Sequence, residues 1–344
     1  MTVTASGSAS ATAAVVWRGE GIEAWHAASV AVVDPSGSLT HHFGDPNLSP
    51  FARSSIKPFQ VLPLLTTGAA DALGVTPEEI AIACASHSGT DEHVRVVDQL
   101  LEKAGATAAD LGCGTHLPID WRVRNRPPLG GEDKDPRRNA CSGKHAGFLA
   151  LGRHLGEARS EYLEPKSEAQ KLIRRSLAEV TGLTPDALPL GTDGCSAPNY
   201  ALPLVALARG MMKLALAEPG SPGTVGALAR VRAAMQAHPR LVSGELRFDH
   251  DLMRAYPDNV VCKVGAEGLE LVAFREPALA FAVKIHDGSD RALPPVCVAV
   301  LEQLGLLRDE PEGPLWRHRR PKLINHRRLM TGEISATLQL IPVA

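Results

Sequence analysis

The sequence predicts an α+β fold in which both ends of the chain form an antiparallel sheet and helices from the middle pack over it. Two observations carry this prediction. Strand-like apolar segments lie near both chain ends, and segments with helical periodicity cluster between them. Hydrophobic residues make up 44% of the 344 residues, which is enough for a core. Because only 4% are aromatic, alanine, leucine and valine must fill that core.

Local patterns predict the individual elements. Residues 29–33 form an apolar strand, and the turn-forming residues 34–37 end it. Thr76, followed by Pro77 and two acidic residues, is typical of a helix start, whereas residues 80–85 look strand-like. The remaining strands are predicted at 260–263 and 280–285, and the remaining helices at 91–105, 167–180, 201–217, from the break at 219–223 to about residue 238, and 294–304.

The chain is predicted to form one unit behind a short tail. Residues 1–14 are rich in Ala, Ser and Thr and lack the features of a secretory signal, so we expect a disordered tail and a cytoplasmic protein. Residues 15–344 form the unit, with a sheet part at roughly 15–90 and 240–344 and a helical part at roughly 91–239. No apolar run approaches the ~20 residues that span a bilayer. A net charge of -2 also argues against a nucleic-acid or membrane-surface partner.

Ser54 and Lys57 form the first pair that suggests chemistry. Their spacing of three places both side chains on one face of a helix. A serine hydroxyl is a weak nucleophile at neutral pH, but a neutral lysine with a pKa lowered by burial can take its proton. The S-x-x-K pattern alone is a weak signal, and an ordinary helix start is the better explanation of any single match.

Two later segments strengthen the hypothesis of a site. Ser86-His87-Ser88 follows the apolar residues 80–85, and Lys263-Val264-Gly265 ends a predicted strand. The order S-x-x-K, S-x-S, K-x-G resembles that of the penicillin-recognising serine hydrolases, whose second serine and second lysine flank the nucleophile. A second Ser-Lys pair, Ser86 with Lys263, is therefore conceivable. Taken singly, Ser86 is also explained as a turn residue and Lys263 as a solvated strand end.

Cys141 and Cys195 lie in segments of small residues, and Lys144 and His145 follow the first of them. Thiolates bind soft metals, above all zinc. The chain has no C-x-x-C pair, so the spacing alone favours buried structural cysteines, with a metal site as the alternative. The irregular residues 106–142 are predicted to cover a functional cleft or to form a mobile lid.

Together, the motifs resemble those of the rhizobial-type, or class 3, L-asparaginases of the asparaginase II family. The resemblance runs from about residue 15 to the C-terminus, and so many motifs in one order make chance implausible. The motifs are Arg53-Ser54-x-x-Lys57-Pro58-Phe59-Gln60, Cys84-Ala85-Ser86-His87-Ser88-Gly89, Cys113-Gly114-x-His116-x-Pro118, Cys141-Ser142-Gly143-Lys144-His145-Ala146-Gly147, Asp193-Gly194-Cys195-Ser196-x-Pro198, Gly244-x-x-Arg247-x-Asp249 and Lys263-x-Gly265-Ala266-Glu267-Gly268.

The resemblance implies hydrolysis of L-asparagine to L-aspartate and ammonia. It also implies a fold like that of the serine β-lactamases and glutaminases, usually in a homodimer. Two Ser-Lys tandems would share one site, and a zinc ion would lie beside them. The implied catalytic residues are Ser54, Lys57, Ser86 and Lys263, and the implied Zn²⁺ ligands are Cys141, Lys144 and Cys195.

Four residues are expected to bind the substrate: Arg53, His87, Asp193 and Glu267. The guanidinium of Arg53 suits a carboxylate through a forked contact. Glu267 lies between Gly265 and Gly268, where an acid can meet an ammonium group, although an ordinary hairpin turn explains the segment equally well. Asp193 and His145 are also expected to orient the metal ligands or a bound water.

The sequence leaves the nucleophile and the activity partly open. Ser54 is preferred over Ser86 because its lysine partner is local. The alternative enzyme is a penicillin-binding or β-lactamase-like serine hydrolase, which shares the serine and lysine motifs but not the cysteine motifs. The non-enzymatic alternative is a sensor of asparagine or metal that keeps the pocket without turnover.

Overall fold

The computed structural model describes residues 11–127, 130–307, 313 and 315–343. Its strands are β1 (Thr12–Arg18), β2 (Gly21–Val33), β3 (Leu39–Phe43), β4 (Leu190–Thr192), β5 (Pro198–Tyr200), β6 (Val260–Gly265), β7 (Leu269–Phe274), β8 (Leu279–Ile285), β9 (Lys322–Ile324), β10 (Met330–Ala336) and β11 (Ile341–Pro342).

Both ends of the chain meet in the main sheet. The strand order is β6-β7-β8-β2-β1-β10-β9, all neighbours are antiparallel, and β3 pairs with both β2 and β11. In the register of β1 with β10, Ala14 lies opposite Ala336. The long strand β2 pairs with β1 along its first half and with β8 along its second half. The strands β4 and β5 form a separate small hairpin.

The helices come mainly from the chain between the two groups of strands. They are α1 (Lys57–Gln60), α2 (Leu62–Thr66), α3 (Ala69–Ala72), α4 (Pro77–Ala83), α5 (Asp91–Lys103), α6 (Ile119–Arg124), α7 (Ser142–Leu155), α8 (Glu168–Thr181), α9 (Leu204–Leu216), α10 (Gly223–Ala237), α11 (Pro239–Val242), α12 (Phe248–Ala255), α13 (Leu293–Gln303) and α14 (Trp316–Arg319).

Helices cover the central strands. Helix α9 packs against β2, β7 and β8, and α13 packs against β1, β7, β8 and β10. Every residue of β7 is buried, so both faces of the sheet are covered at this strand. Strand β6 lies at the end of the strand order, so one edge of it is open to the loops and helices that build the cavity described below.

The predicted α+β class, with an antiparallel sheet made from both chain ends, is confirmed. The helix start at Thr76 is also confirmed: its hydroxyl accepts a hydrogen bond from the Glu79 backbone, and the Glu79 carboxylate accepts one from the Thr76 N–H at 2.7 Å. The strand-like interpretation of residues 80–85 is wrong, because most of them continue α4. They are buried throughout, so their apolar pattern has no helical period.

Two predicted boundaries differ from the structure. Strand β1 includes Thr12 to Ala14, so the last residues assigned to the tail belong to the sheet; residues 1–10 lie outside the described residues. The helical part begins at Lys57 and continues to Ala255, beyond the limits of 91 and 239. In the described part of the chain, no helix is both long and apolar enough to cross a membrane.

Candidate active site

A cavity of about 510 Å³ opens beside the end of β6 and gathers most of the residues singled out in the sequence. The irregular segment 106–142 supplies part of its wall, as expected for a segment that covers a cleft. The chemically relevant lining residues are Arg53, Ser54, Ser86, His116, Asn139, Cys141, Asp193, Cys195, Arg247, Asp249, Glu270, Asp290 and His318.

Ser86 lies between two buried lysines. It follows the end of α4, and its backbone N–H donates to Val242 O at 2.9 Å. Its Oγ lies 2.8 Å from Lys263 Nζ and 3.2 Å from Lys57 Nζ. One hydroxyl at the cavity wall therefore contacts both amines, which is the contact a lysine needs to take a serine proton.

Backbone oxygens hold the two lysines in place. Lys57 Nζ donates to Ala85 O at 2.5 Å and to Ala140 O at 3.3 Å, and Lys263 Nζ donates to Val264 O at 2.7 Å. Both lysines are fully buried. Burial, and then the positive charge of Lys57, lower the pKa of Lys263 to about 7. A large fraction of Lys263 is therefore neutral near neutral pH and able to act as a base.

Gly265 explains why β6 comes so close to the segment before Lys57. A Cβ at this position would lie 2.9 Å from Ala52 O and 3.2 Å from Ser55 Cβ. Only a glycine allows this approach without moving the backbone. The K-x-G pattern thus places Lys263 near Lys57 through the close packing of β6 on the 3₁₀ turn Arg53–Ile56.

Ser54 lines the cavity, but it does not pair with Lys57. Within the described residues, its hydroxyl forms no hydrogen bond, and the amine of Lys57 bonds to Ser86 instead. The preference for a local Ser54–Lys57 pair is therefore not supported. The physical reason is that a buried ammonium group needs several oxygen acceptors. Lys57 Nζ finds them in Ala85 O and Ala140 O, which belong to segments distant from Ser54 in the sequence.

His87 does not face the cavity, contrary to the expectation that it binds substrate. Its Nε2 lies 2.8 Å from Ser142 Oγ, its Nδ1 accepts a hydrogen bond from Gly89 N–H, and the ring stacks on His93. Burial, and then the nearby His93, lower the pKa of His87 well below its usual value. A neutral ring with both nitrogens occupied supports the turn after Ser86 rather than contacting a ligand.

Arg53 and Asp193 form an ion pair at the cavity wall. Arg53 Nε donates to Asp193 Oδ1 at 2.5 Å, and the Asp193 carboxylate also accepts from Gly194 N–H at 2.7 Å. Arg53 has a φ of 51°, an uncommon value for a non-glycine residue and one found at functional sites. Glu267 lies at the edge of this pair, 4.0 Å from Arg53 Nη1, with a side chain that is 66% exposed.

Cys141, Lys144 and Cys195 come together beside the cavity. Lys144 Nζ lies 3.0 Å from Cys195 Sγ. The neighbouring thiol of Cys195, with Lys57 and Lys144 nearby, holds the pKa of Cys141 well below its usual value despite burial. Two thiol groups and one amine form a donor set that fits Zn²⁺, provided that the ion displaces the remaining protons.

Asp193, but not His145, lies against this group of donors. Cys195 Sγ is 3.7 Å from Asp193 Oδ2. His145 points elsewhere, with Nδ1 2.8 Å from the Tyr162 hydroxyl and Nε2 buried without a partner among the described residues. The expectation that His145 orients a metal ligand is therefore not supported by its contacts.

Sequence reasoning gave no role to three charged residues of the cavity, Arg247, Asp249 and Glu270. Arg247 and Asp249 belong to a recognised motif, whereas Glu270, in β7, belongs to none. The Asp249 carboxylate accepts from Val264 N–H at 3.1 Å, and it lies within 4.8 Å of the Glu270 carboxylate. Burial and the charge of Asp249 raise the pKa of Glu270 well above its usual value. An acid inside an otherwise apolar strand is the signal that could have identified Glu270.

The chain is similar to solved structures at low sequence identity. Among solved structures, the chain is similar to one described as Mglu in its native form (14% identity, TM-score 0.46, 83% of this chain and 66% of that chain). It is also similar to a β-lactamase from Mycobacterium bovis (15% identity, TM-score 0.38, 80% of this chain and 94% of that chain). Scores this low carry no inference about activity, and no curated protein matches the chain.

The sequence pattern of the L-asparaginase II family matches residues 14–336. The matched range includes all the serine, lysine and cysteine motifs of the cavity. Because the match spans most of the chain, this protein belongs to the L-asparaginase II family.

Proposed function

We propose that this protein hydrolyses the side-chain amide of L-asparagine, giving L-aspartate and ammonia. Membership of the family supports an asparaginase-type hydrolase. The observation that carries the proposal is the position of Ser86 Oγ, 2.8 Å from Lys263 Nζ and 3.2 Å from Lys57 Nζ at the wall of a cavity large enough for an amino acid.

In the first half of the reaction, neutral Lys263 takes the proton of Ser86, and Ser86 Oγ attacks the amide carbon of the substrate. The C–O bond forms, the C–N bond breaks, and Lys263 returns the proton to the leaving nitrogen, so that ammonia departs. The pKa of Lys263, lowered by burial to about 7, suits both the uptake and the return of the proton at neutral pH.

In the second half, water attacks the acyl-enzyme ester. Lys263 takes a proton from the water and then donates it to Ser86 Oγ as aspartate leaves. The second lysine, Lys57, holds the Ser86 hydroxyl in place throughout and contributes positive charge next to the reacting oxygen. Ser54 lies on the same cavity wall, and its hydroxyl, which bonds to none of the described residues, can contact the substrate.

A zinc ion is part of the proposal. Its ligands would be Cys141, Lys144 and Cys195, and when bound it would supply a fixed positive charge that orients a polar group of the substrate. Asp193, in contact with both Cys195 and Arg53, connects these ligands to the substrate-binding wall. A homodimer, proposed from the family resemblance, and a cytoplasmic location, proposed from the sequence, complete the hypothesis.

The test is release of ammonia from L-asparagine by the purified protein, measured with and without added zinc, beside L-glutamine and the β-lactam nitrocefin. Asparagine turnover without nitrocefin turnover supports the proposal. Nitrocefin turnover alone supports the β-lactamase-like alternative. Binding of asparagine without ammonia release, in protein saturated with zinc, supports a sensor and rules out the proposed hydrolysis.

A further inference from the structure

Arg247 lines the cavity immediately before α12 and contacts the backbone of the proposed nucleophile. Its Nη1 donates to Ser86 O and, at 3.1 Å, to Ser243 O. Its side chain lines the same cavity as the hydroxyl of Ser86. A guanidinium has five N–H donors, and with respect to the described residues the donors of Arg247 beyond those on Nη1 remain for a ligand.

Arg247 differs from the other arginines of the cavity because it pairs with no carboxylate among the residues that the structure describes. Arg53 pairs with Asp193 at 2.5 Å, and Arg122 pairs with Asp290 at 3.7 Å. Within the described part of the chain, Arg247 forms no ion pair; Asp249 and Glu270 act on it only through their charge. A half-buried cation that faces a cavity with only carbonyl partners is suited to an anion from outside the protein.

From this contrast we infer that Arg247 binds the α-carboxylate of the amino-acid substrate. The inference rests on the proposed asparaginase function and adds the residue that selects an amino acid over a simple amide. A planar guanidinium matches a carboxylate through two parallel hydrogen bonds. Because Nη1 is tied to the backbone of Ser86, the carboxylate would be held at a fixed distance from the attacking oxygen.

The assignment also revises the role of Arg53. Its guanidinium already has a carboxylate at 2.5 Å, so a second anion would have to compete with Asp193. Arg53 and Asp193 together form a neutral pair, better suited to positioning the wall near Cys195 than to attracting an anion. Arg247 thus takes over the carboxylate contact that the sequence assigned to Arg53.

The experiment compares two substrates, L-asparagine and β-alaninamide, which is asparagine without its α-carboxylate. For each variant, the ratio of the two kcat/KM values is measured by ammonia release. In Arg247→Gln, the ratio is expected to fall about 10- to 150-fold, the effect of losing a hydrogen bond to a charged group. Arg247→Lys should recover part of it. Arg122→Gln, in the same cavity, is the matched control and should keep the wild-type ratio.

Two results would overturn the inference. An equal loss with both substrates would mean that Arg247 only holds the backbone of Ser86, since misfolding or misplacement affects both alike. A fall in the ratio for Arg53→Gln but not for Arg247→Gln would assign the carboxylate to Arg53. If β-alaninamide is turned over too slowly, inhibition by L-aspartate and by β-alanine gives the same ratio. Asparagine turnover by the wild type tests the proposed function separately.

Discussion

The pH dependence of asparagine hydrolysis is expected to follow the loss of a proton from Lys263. Burial, and then the charge of Lys57, lower the pKa of this amine to about 7 from an ordinary 10.5. Only the neutral amine can take the proton of Ser86, so kcat/KM should rise as the pH increases through about 7 and then level off. The rise, not a fall, is the expected sign, because the charged form predominates below the pKa.

The size of the rise follows from the titration of one group. With a pKa of about 7, about one lysine in eleven is neutral at pH 6 and about ten in eleven at pH 8, so kcat/KM should increase about tenfold. A lysine with an ordinary pKa would give about a 100-fold increase over the same range and no plateau. The two cases are therefore distinguishable with ordinary initial-rate measurements.

The assay is ammonia release between pH 5.5 and 9 with asparagine well below KM, run on the wild type and on Lys263→Arg. Arginine stays charged over the whole range, so this variant should lose most activity and regain none at high pH. A flat wild-type profile between pH 6 and 8, or a wild-type profile in Lys263→Arg, would refute the assignment of Lys263 as the base.

A second perturbation tests the electrostatic origin of the same pKa. Asp249, and Glu270 when it is ionised, raise the pKa of Lys263 through their negative charge. Burial and the charge of Asp249 raise the pKa of Glu270, so the two carboxyl groups act as a pair and both are replaced. The double variant Asp249→Asn with Glu270→Gln should therefore move the inflection to lower pH. Movement to higher pH would contradict the electrostatic reasoning.

Three further predictions concern the nucleophile, the metal and the packing. Ser86→Ala should lose at least about 10³-fold in kcat for ammonia release, and Ser54→Ala clearly less; equal losses would contradict Ser86 as the nucleophile. Cys195→Ser should weaken zinc binding, measured by calorimetry, at least about 100-fold, whereas Cys297→Ser, on α13, should retain it. Gly143→Ala would place a Cβ 2.2 Å from a carbonyl oxygen of α4, so urea unfolding should show about 1–3 kcal/mol or more of lost stability.

The elements of the fold could be predicted where the sequence carries local signals. The prediction failed where burial removes those signals. Thr76, Pro77 and the two acidic residues after it predicted the start of α4, where Thr76 and Glu79 cap each other. The next residues alternate isoleucine and alanine, which imitates the period of a strand. Since the segment is buried on every side, no polar face appears to reveal the helix.

The sequence predicted one of the two serine–lysine contacts of the candidate site. It paired Ser86 with Lys263, and these side chains lie 2.8 Å apart. It also paired Lys57 with Ser54, whereas Lys57 Nζ lies 3.2 Å from Ser86 Oγ. Spacing in the sequence describes one helix turn, whereas the contacts of a buried amine depend on oxygens from distant segments, here Ala85 O and Ala140 O. The role inferred for Arg247 could not be predicted from the sequence either, because it depends on which arginines of the cavity already pair with a carboxylate.

The reactivity of Lys263 and its effect on stability have one physical origin. In the unfolded chain the amine has a pKa near 10.5, and in the folded chain near 7, so the unfolded state binds more protons between these values. The free energy of unfolding should therefore increase with pH in this window. It should be lowest below about pH 7, where Lys263 is protonated in the folded protein as well. At neutral pH the burial of this amine costs roughly 4 kcal/mol of folding free energy. The same burial keeps a proton acceptor beside Ser86. The loss of folding free energy and the reactivity of Lys263 therefore cannot be separated.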